Sequence, residues 1–310
     1  MNTEKSNLLL SICIPTNGIS EWVFPVLNSI YSEKTPCGEF EVIVTDNGNN
    51  EEFFHQMIDF QKKHTNLVYK KTNVIQFLNQ IEAFKLAKGD LIKFINHRMI
   101  LLPGALNYYL KFSERYKEDK PGVYFMDGRL DNLQEYNYYN SFDDFVKGLS
   151  YWSSWSGGTA MWKSDFEHLD LRETFDSTFP HVLFLFSITH KNKYIINNKN
   201  LGEEIMTGHE NKGSYDFFNA FAVKYLEIIL QLYLNDKISS NTFIYIKDQI
   251  GDFLCNRYID FIIRKKDCSY DLSSYNQAIQ VFYSSRNIFS RIPKCILKKA
   301  RKKLTRRSNG

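Results

Sequence analysis

Along the first half of the chain, short apolar runs alternate with longer segments whose apolar residues recur at helical spacing. The runs span residues 8–14, 42–45, 67–69 and 91–95, each bounded by turn residues and short enough for a buried strand. Between them, residues 21–31 behind a Ser20 cap, 51–64 and 75–87 carry the helical period. Such alternation predicts parallel strands joined by right-handed crossover helices, an α/β fold. A helix is expected after Pro103, with Leu106, Tyr109, Leu110 and Phe112 turned to the core, and a further strand at 123–126. From Tyr151 the text changes to YWSSWSGGTAMW, followed by a helical stretch at 181–190 and a strand at 194–196. After Ser214 the pattern is helical throughout, with stripes such as Phe218, Phe221, Tyr225, Ile229 and Leu232 that read as packing surfaces rather than cofactor contacts. The expected division is an α/β domain over 1–214, a helical appendage over 215–284 and a basic amphipathic tail over 285–310.

Composition narrows the class. A chain of 310 residues, 43% hydrophobic, can bury a substantial core. No apolar run reads as the roughly 18 residues of a membrane span, and residues 8–15 are too short for a signal peptide, so a cytoplasmic chain is expected. Five scattered cysteines without CxxC spacing fit reduced thiols, and no structural metal is expected. The net charge of +4 is unevenly placed: residues 284–310 hold ten cations and no acid, so subtracting ten leaves −6 for the remainder. With Ile288, Phe289, Ile292, Ile296, Leu297 and Leu304 interleaved, and Pro293 expected to interrupt the helix, this tail is a candidate for lying on an anionic membrane surface. The alternatives are a solvated terminus or a basic arm touching nucleic acid without sequence preference.

Polar clusters follow the ends of the expected strands: Pro15-Thr16-Asn17, Asp46-Asn47-Gly48, Asn73 and Asn96-His97-Arg98. In parallel sheets ligands bind beyond the carboxyl ends of strands, so the four clusters predict one site. A strand-end carboxylate such as Asp46 can accept hydrogen bonds from a base imide or a ribose; it can equally cap the turn before Asn47-Gly48. Asn17-Gly18 can be a plain turn, and Asn73 can cap the following helix. Gly89 reads as the left-handed residue past the end of that helix.

The pieces SICIPTNG (11–18), EVIVTDNGN (41–49), TNVIQFLNQIEAFKLAKGD (72–90) and GDLIKFINHRM (89–99) together resemble the nucleotide-sugar half of an inverting family 2 glycosyltransferase with the GT-A fold. The resemblance covers about residues 8 to 210. It implies a mixed, Rossmann-like sheet flanked by helices, with the helical region appended. Implied partners are a nucleotide-sugar donor, held by Pro15, Thr16, Asn17, Asp46, Asn73, Asn96 and His97, and a saccharide acceptor, often lipid-linked. The similar enzymes build capsule, O-antigen or other surface polysaccharides, which implies work at the inner face of the membrane.

The chain departs from the family where Asp-x-Asp would hold Mg²⁺ or Mn²⁺ against the diphosphate. Asn96-His97-Arg98 offers one amide oxygen and a cation, a poor set for a hard metal ion. A guanidinium supplies a fixed charge and a two-pronged hydrogen bond to phosphate, so Arg98 can stand in for the ion and no cofactor is expected. The resemblance also aligns TFDSTFPHVLFLF (174–186) with the segment that supplies the catalytic base, which makes His181 the candidate base and Asp176 the alternative. Trp152, Trp155, Gly157 and Gly158 fall where the acceptor would bind, an aromatic face suiting a sugar ring. His209 and Lys212, in GHENKGSYD (208–216), are candidates for closing over the donor. Two other readings stay open: an inactive relative serving as a scaffold, and a nucleotidyltransferase, which would carry a glycine-rich phosphate loop that SICIPTNG does not supply. The helical region is also a candidate for dimerisation.

Overall fold

A strand apolar on both faces belongs in the middle of a parallel sheet, and LSICIPT forms such a strand, β1 (Leu10–Thr16), in the computed structural model. The structure describes residues 8–33, 35–130, 133–171, 175–206 and 213–308. After β1 come α1 (Ser20–Tyr31), β2 (Phe40–Asp46), α2 (Glu51–Lys63), β3 (Leu67–Lys71), α3 (Asn79–Leu86) and β4 (Leu91–Phe94). Then follow β5 (Met99–Leu101), α4 (Ala105–Tyr116), β6 (Gly122–Phe125), β7 (Tyr136–Tyr139), α5 (Phe142–Leu149), β8 (Ala160–Trp162), α6 (Lys163–Glu167), α7 (Pro180–Ser187), β9 (Tyr194–Asn197) and β10 (Gly202–Glu204).

The main sheet has the order β3-β2-β1-β4-β8, parallel except for β8. Its register sets Thr16 opposite Asp46 and Asp46 opposite Lys71, so three strands end level. Two small sheets, β6-β9-β7 and β10-β5, complete this part of the fold. Val23, Val26, Leu27 and Ile30 of α1 and Leu106, Tyr109 and Phe112 of α4 join β1 and β2 in one core. The chain divides into two units, residues 1–148 with 152–205, and residues 149–151 with 206–310.

Local details depart from the sequence expectations. Ser20 does not cap α1: Ile19 holds the cap position without a side-chain bond, and Ser20 Oγ donates to Gln56 Oε1 at 2.7 Å. The expected helix over 75–87 starts as a 3₁₀ turn, Gln76–Leu78, before α3, so Asn73 lies exposed in the preceding loop and caps nothing. Gly89 is not left-handed among the glycines of positive φ. It is needed for close approach, since a Cβ there would stand 2.6 Å from the Leu10 carbonyl carbon.

The second unit is helical: α8 (Phe217–Asn219), a π-helical turn Ala220–Lys224, α9 (Tyr225–Leu234), α10 (Ser240–Tyr258), α11 (Tyr275–Phe282) and α12 (Ser285–Ser308). Contrary to expectation, Pro293 lies inside α12 without ending it. The first turns of α12 dock on α10 through buried Ile288 and Cys295 and through Arg291, which donates to Asp248 Oδ1 at 2.7 Å and Asp252 Oδ1 at 2.8 Å. One run, Phe217–Leu234, has the length and hydropathy of a membrane span, which the sequence reading had denied to the whole chain. Its Phe218, Tyr225, Leu226 and Ile229 are nevertheless packed inside this unit.

Candidate functional site

The level ends of β1 and β2 are locked to each other by the loops that follow them. Asn47 N–H donates to Thr16 O at 3.1 Å, and Asn50 Nδ2 donates to Gly18 O at 3.0 Å. Gly18 has φ +81, and Gly48 lies so close that a Cβ would fall 1.9 Å from Asn17 O. Glycine in both Asn-Gly pairs is therefore a steric requirement. Asp46 is fully buried; its Oδ1 accepts from Gly48 N–H at 2.8 Å, and its Oδ2 accepts from Tyr69 at 2.8 Å and Lys71 Nζ at 3.0 Å. The turn-capping role expected of this carboxylate is thus filled by Oδ1, while Oδ2 is held by Tyr69 and the half-exposed Lys71. Pro15 is half-buried and Asn17 exposed.

The residue that ties this edge together is Asn79, which the sequence does not single out. It is 2% exposed. Its Nδ2 donates to Thr16 O at 3.1 Å and Thr45 O at 2.8 Å, and its Oδ1 accepts from Thr72 Oγ1 at 2.8 Å. One amide thereby ties the carbonyls of two neighbouring strand ends together, adding a second donor to Thr16 O beside Asn47 N–H.

β4 leaves the sheet after Phe94, and residues 96–98 turn back over the end of β1. Asn96 Oδ1 accepts from Arg98 N–H at 3.0 Å, closing a tight turn. His97 Nδ1 and Thr16 Oγ1 share a hydrogen bond at 2.9 Å, while Thr16 Oγ1 also accepts from Gly18 N–H. Burial, with the neighbouring Arg98 charge, pushes the His97 imidazole down to about 3, so the ring is neutral at pH 7. The Trp22 indole meets the His97 ring edge-on at 5.1 Å and lies under the Arg98 guanidinium at 5.2 Å. Arg98 Nη2 reaches Glu204 Oε1 at 3.5 Å, and Arg129 Nη2 reaches Glu204 Oε2 at 3.7 Å. Arg129 in turn lies 4.2 Å over the Trp155 ring. Two guanidinium groups, each on an indole, therefore flank one carboxylate.

Arg129, Glu204, Trp22 and Asp127 were not among the sequence candidates. The available signal was Asp127-Gly128: both have positive φ, +47 and +68, and Arg129 N–H returns to Met126 O at 3.0 Å, the pattern of a type I′ turn. That turn directs the chain back after β6. Asp127 Oδ1 is out of contact with solvent and has no hydrogen-bond partner; burial raises its carboxyl, opposed by the Lys93 and Arg129 charges. Lys93 was also missed. It is fully buried in β4, donates to Phe94 O at 2.7 Å and Gly157 O at 2.6 Å, and is pushed down to about 8 by that burial.

The aromatic stretch is tied to the same sheet edge. Trp152 and Trp155 are half-buried, and their carbonyls both accept from the Tyr124 hydroxyl, the former at 2.8 Å. Gly157 and Gly158 are buried, and their close approach is to protein: a Cβ on Gly157 would meet the Trp155 ring at 2.3 Å, and one on Gly158 the Tyr124 ring at 2.1 Å. The Trp155 ring already carries Arg129. His181, second in α7, is 3% exposed; its Nε2 pairs with Ser154 O at 2.9 Å and its Nδ1 has no hydrogen-bond partner. Burial pushes the ring down to about 4. Asp176 is half-buried before α7, with Oδ1 accepting from Thr178 N–H at 2.7 Å and Phe179 N–H at 3.1 Å. Its placement leaves more access than that of His181. His209 and Lys212 lie outside the described residues.

No group of three or more His, Cys, Asp or Glu side chains suited to a metal ion occurs among the described residues. At residues 96–98 the amide oxygen is used by the turn, the imidazole by Thr16, and the third side chain is a cation. These donors do not fit a divalent ion. A shallow cleft lined by Arg115, Tyr116, Tyr138 and Lys193 contains none of these strand-end residues.

No family model and no curated protein matches the sequence. Solved structures do. S. aureus TarS, residues 1–349 in complex with UDP-GlcNAc, superposes with a TM-score of 0.57 at 16% identity, over 88% of this chain and 80% of that one. The same protein in complex with UDP gives 0.53 at 15% identity, over 94% and 87%. The mannosyltransferase PcManGT from Pyrobaculum calidifontis, in complex with GDP-Man and Mn²⁺, gives 0.50 at 11% identity, over 95% and 86%. The chain has the fold of GT-A glycosyltransferases, a parallel-rich sheet flanked by helices.

Proposed function

We propose that this chain is an inverting glycosyltransferase that takes a sugar from a nucleoside-diphosphate donor without using a metal ion. The observation that carries this reading is the convergence of Thr16, Asp46 and residues 96–98 at one sheet edge, in a fold shared with proteins crystallised with UDP-GlcNAc and GDP-Man. Thr16, Asn17 and Asp46 with Lys71 form the nucleoside side, and Asn73 stands at its exposed margin. Arg98 lies on the diphosphate side, backed by Trp22. The acceptor hydroxyl loses its proton to a base, its oxygen bonds to the anomeric carbon, and the bond to the diphosphate breaks with the electron pair leaving on phosphate. The charge that develops there is the one a guanidinium stabilises. Asp176 is the better base of the two candidates, because His181 is sealed in the core and holds its proton on the nitrogen facing Ser154 O. Trp152 remains the aromatic surface for an acceptor sugar. A lipid-linked saccharide of a capsule or O-antigen type is the acceptor class, reached from the cytoplasmic face through the basic tail.

A thermal-stability screen of nucleotide sugars, run in EDTA and in Mn²⁺, tests the reading. Stabilisation by one donor in EDTA is expected; stabilisation only with Mn²⁺ would sink the metal-free mechanism. In the transfer assay, Asp176→Asn should lose at least a hundredfold in kcat, the usual scale for a general base, while His181→Gln should retain activity. The scaffold reading has one observation in its favour: Asp46 and Arg98 already have internal partners. Donor binding with no turnover on any acceptor would select it.

A further inference from the structure

The cations and the anion at the centre of the Arg98–Glu204–Arg129 cluster are held very differently. Arg98 and Arg129 have side chains only 13% and 28% exposed, and each lies on an indole that fixes its plane. Glu204 is 45% exposed, and its two ion pairs, at 3.5 and 3.7 Å, are longer than direct charge-assisted hydrogen bonds. It sits on β10, where the antiparallel register pairs it with Met99 and where Ile205 N–H donates to Arg98 O at 2.8 Å. The main chain therefore stays beside Arg98 whichever rotamer Glu204 adopts. A second observation concerns the same cluster: Arg129 Nε is buried without a hydrogen-bond partner. The Glu204 carboxylate leaves that Arg129 donor unused, whereas a diphosphate offers more acceptor oxygens and more charge.

We infer that Glu204 is an exchangeable internal anion that keeps Arg98 and Arg129 apart and oriented in the free protein, and that the donor's diphosphate displaces it to bind both guanidinium groups. Arg129 is then a second binding residue for the leaving group, and Glu204 a positioning residue that competes with it. This rests on the nucleoside-diphosphate reading of the site. In exchange, Glu204 turns to solvent, and nothing covalent changes. The competition is weak by design, since an exposed pair contributes at most about the equivalent of a fivefold change in binding.

Isothermal titration of the full chain with inorganic pyrophosphate, UDP and GDP tests this, with uridine and guanosine as ligands lacking the diphosphate. For pyrophosphate and for whichever diphosphate binds, Glu204→Gln should tighten affinity roughly three- to fivefold and Arg129→Gln should weaken it at least tenfold. The matching nucleoside should bind all three proteins alike, and an unchanged melting temperature in Glu204→Gln would separate the effect from a loss of fold. Diphosphate affinity that is unchanged or weaker in Glu204→Gln overturns the exchange while leaving the site reading intact. Failure of the wild type to bind pyrophosphate or either diphosphate overturns the site reading and this inference together.

Discussion

Two buried histidines share a property that a titration can read. His97 and His181 are both neutral, held near 3 and 4 against the ordinary 6.5 because burial penalises the imidazolium. With the folded value depressed, the stability each contributes is fully present above 6.5 and is lost as pH falls through the folded value. For His181 the difference corresponds to about 3 kcal/mol. The free energy of urea unfolding should therefore fall steeply between pH 6.5 and 4. His181→Gln keeps an amide donor for Ser154 O and cannot titrate, so its profile should be flatter by about that amount; an equally steep profile would show that His181 takes up no proton on unfolding. Arg98 is read by chemistry instead. On the proposed mechanism, Arg98→Ala removes the charge that faces the leaving group and should cost about a hundredfold or more in kcat, with Arg98→Lys recovering part of it because it keeps the charge and loses the fork.

At the scale of elements, the site exists because three strands end level and something must satisfy their terminal carbonyls. Asn79 does this for β1 and β2 with one side chain. Asn79→Ala removes a donor from the Thr45 carbonyl and an acceptor from the Thr72 hydroxyl, while Thr16 O keeps Asn47 N–H, and should destabilise by about 1–3 kcal/mol. The same change should weaken nucleoside-diphosphate binding, measured beside the urea midpoint. β1 to β4, β6, β9, α1, α2 and α4 were legible because each has an apolar pattern of one period bounded by turn residues, whereas β5, β7, β8 and β10, three or four residues each, were too short to show one. Asn79 was not, because a polar residue at a helix start reads as a surface position until the neighbouring strand ends are known. Arg129 and Glu204 were hidden for a related reason. They come from loops and an edge strand far apart in sequence, and only the β5–β10 register and the turn at Asp127-Gly128 bring them to Arg98. Asp46 was legible as a residue that matters at the strand end, while its full set of internal partners was not, since Tyr69 and Lys71 lie one strand away.

For the whole molecule, the uneven charge sets what the chain meets. The first half of the basic tail is already used: Ile288, Arg291 and Cys295 fasten α12 to α10. Phe289 and Leu297 on the same helix remain 50% and 61% exposed, and the sequence of residues 299–310 holds six more cations. On the proposed membrane role, an anionic bilayer would satisfy both, because each cation near such a surface contributes up to about 1 kcal/mol and apolar side chains can enter the headgroup boundary. A chain ending at Lys298 keeps every docking contact named above, so its melting temperature should match that of the full chain. Its partition onto phosphatidylglycerol vesicles should drop by about a hundredfold or more, and the full chain's binding should fall steeply as salt rises from 50 to 500 mM, as screening of surface charges requires. Equal vesicle binding by the two chains would assign the tail to solvent instead, and leave the exposed face of the helical unit to a second protein.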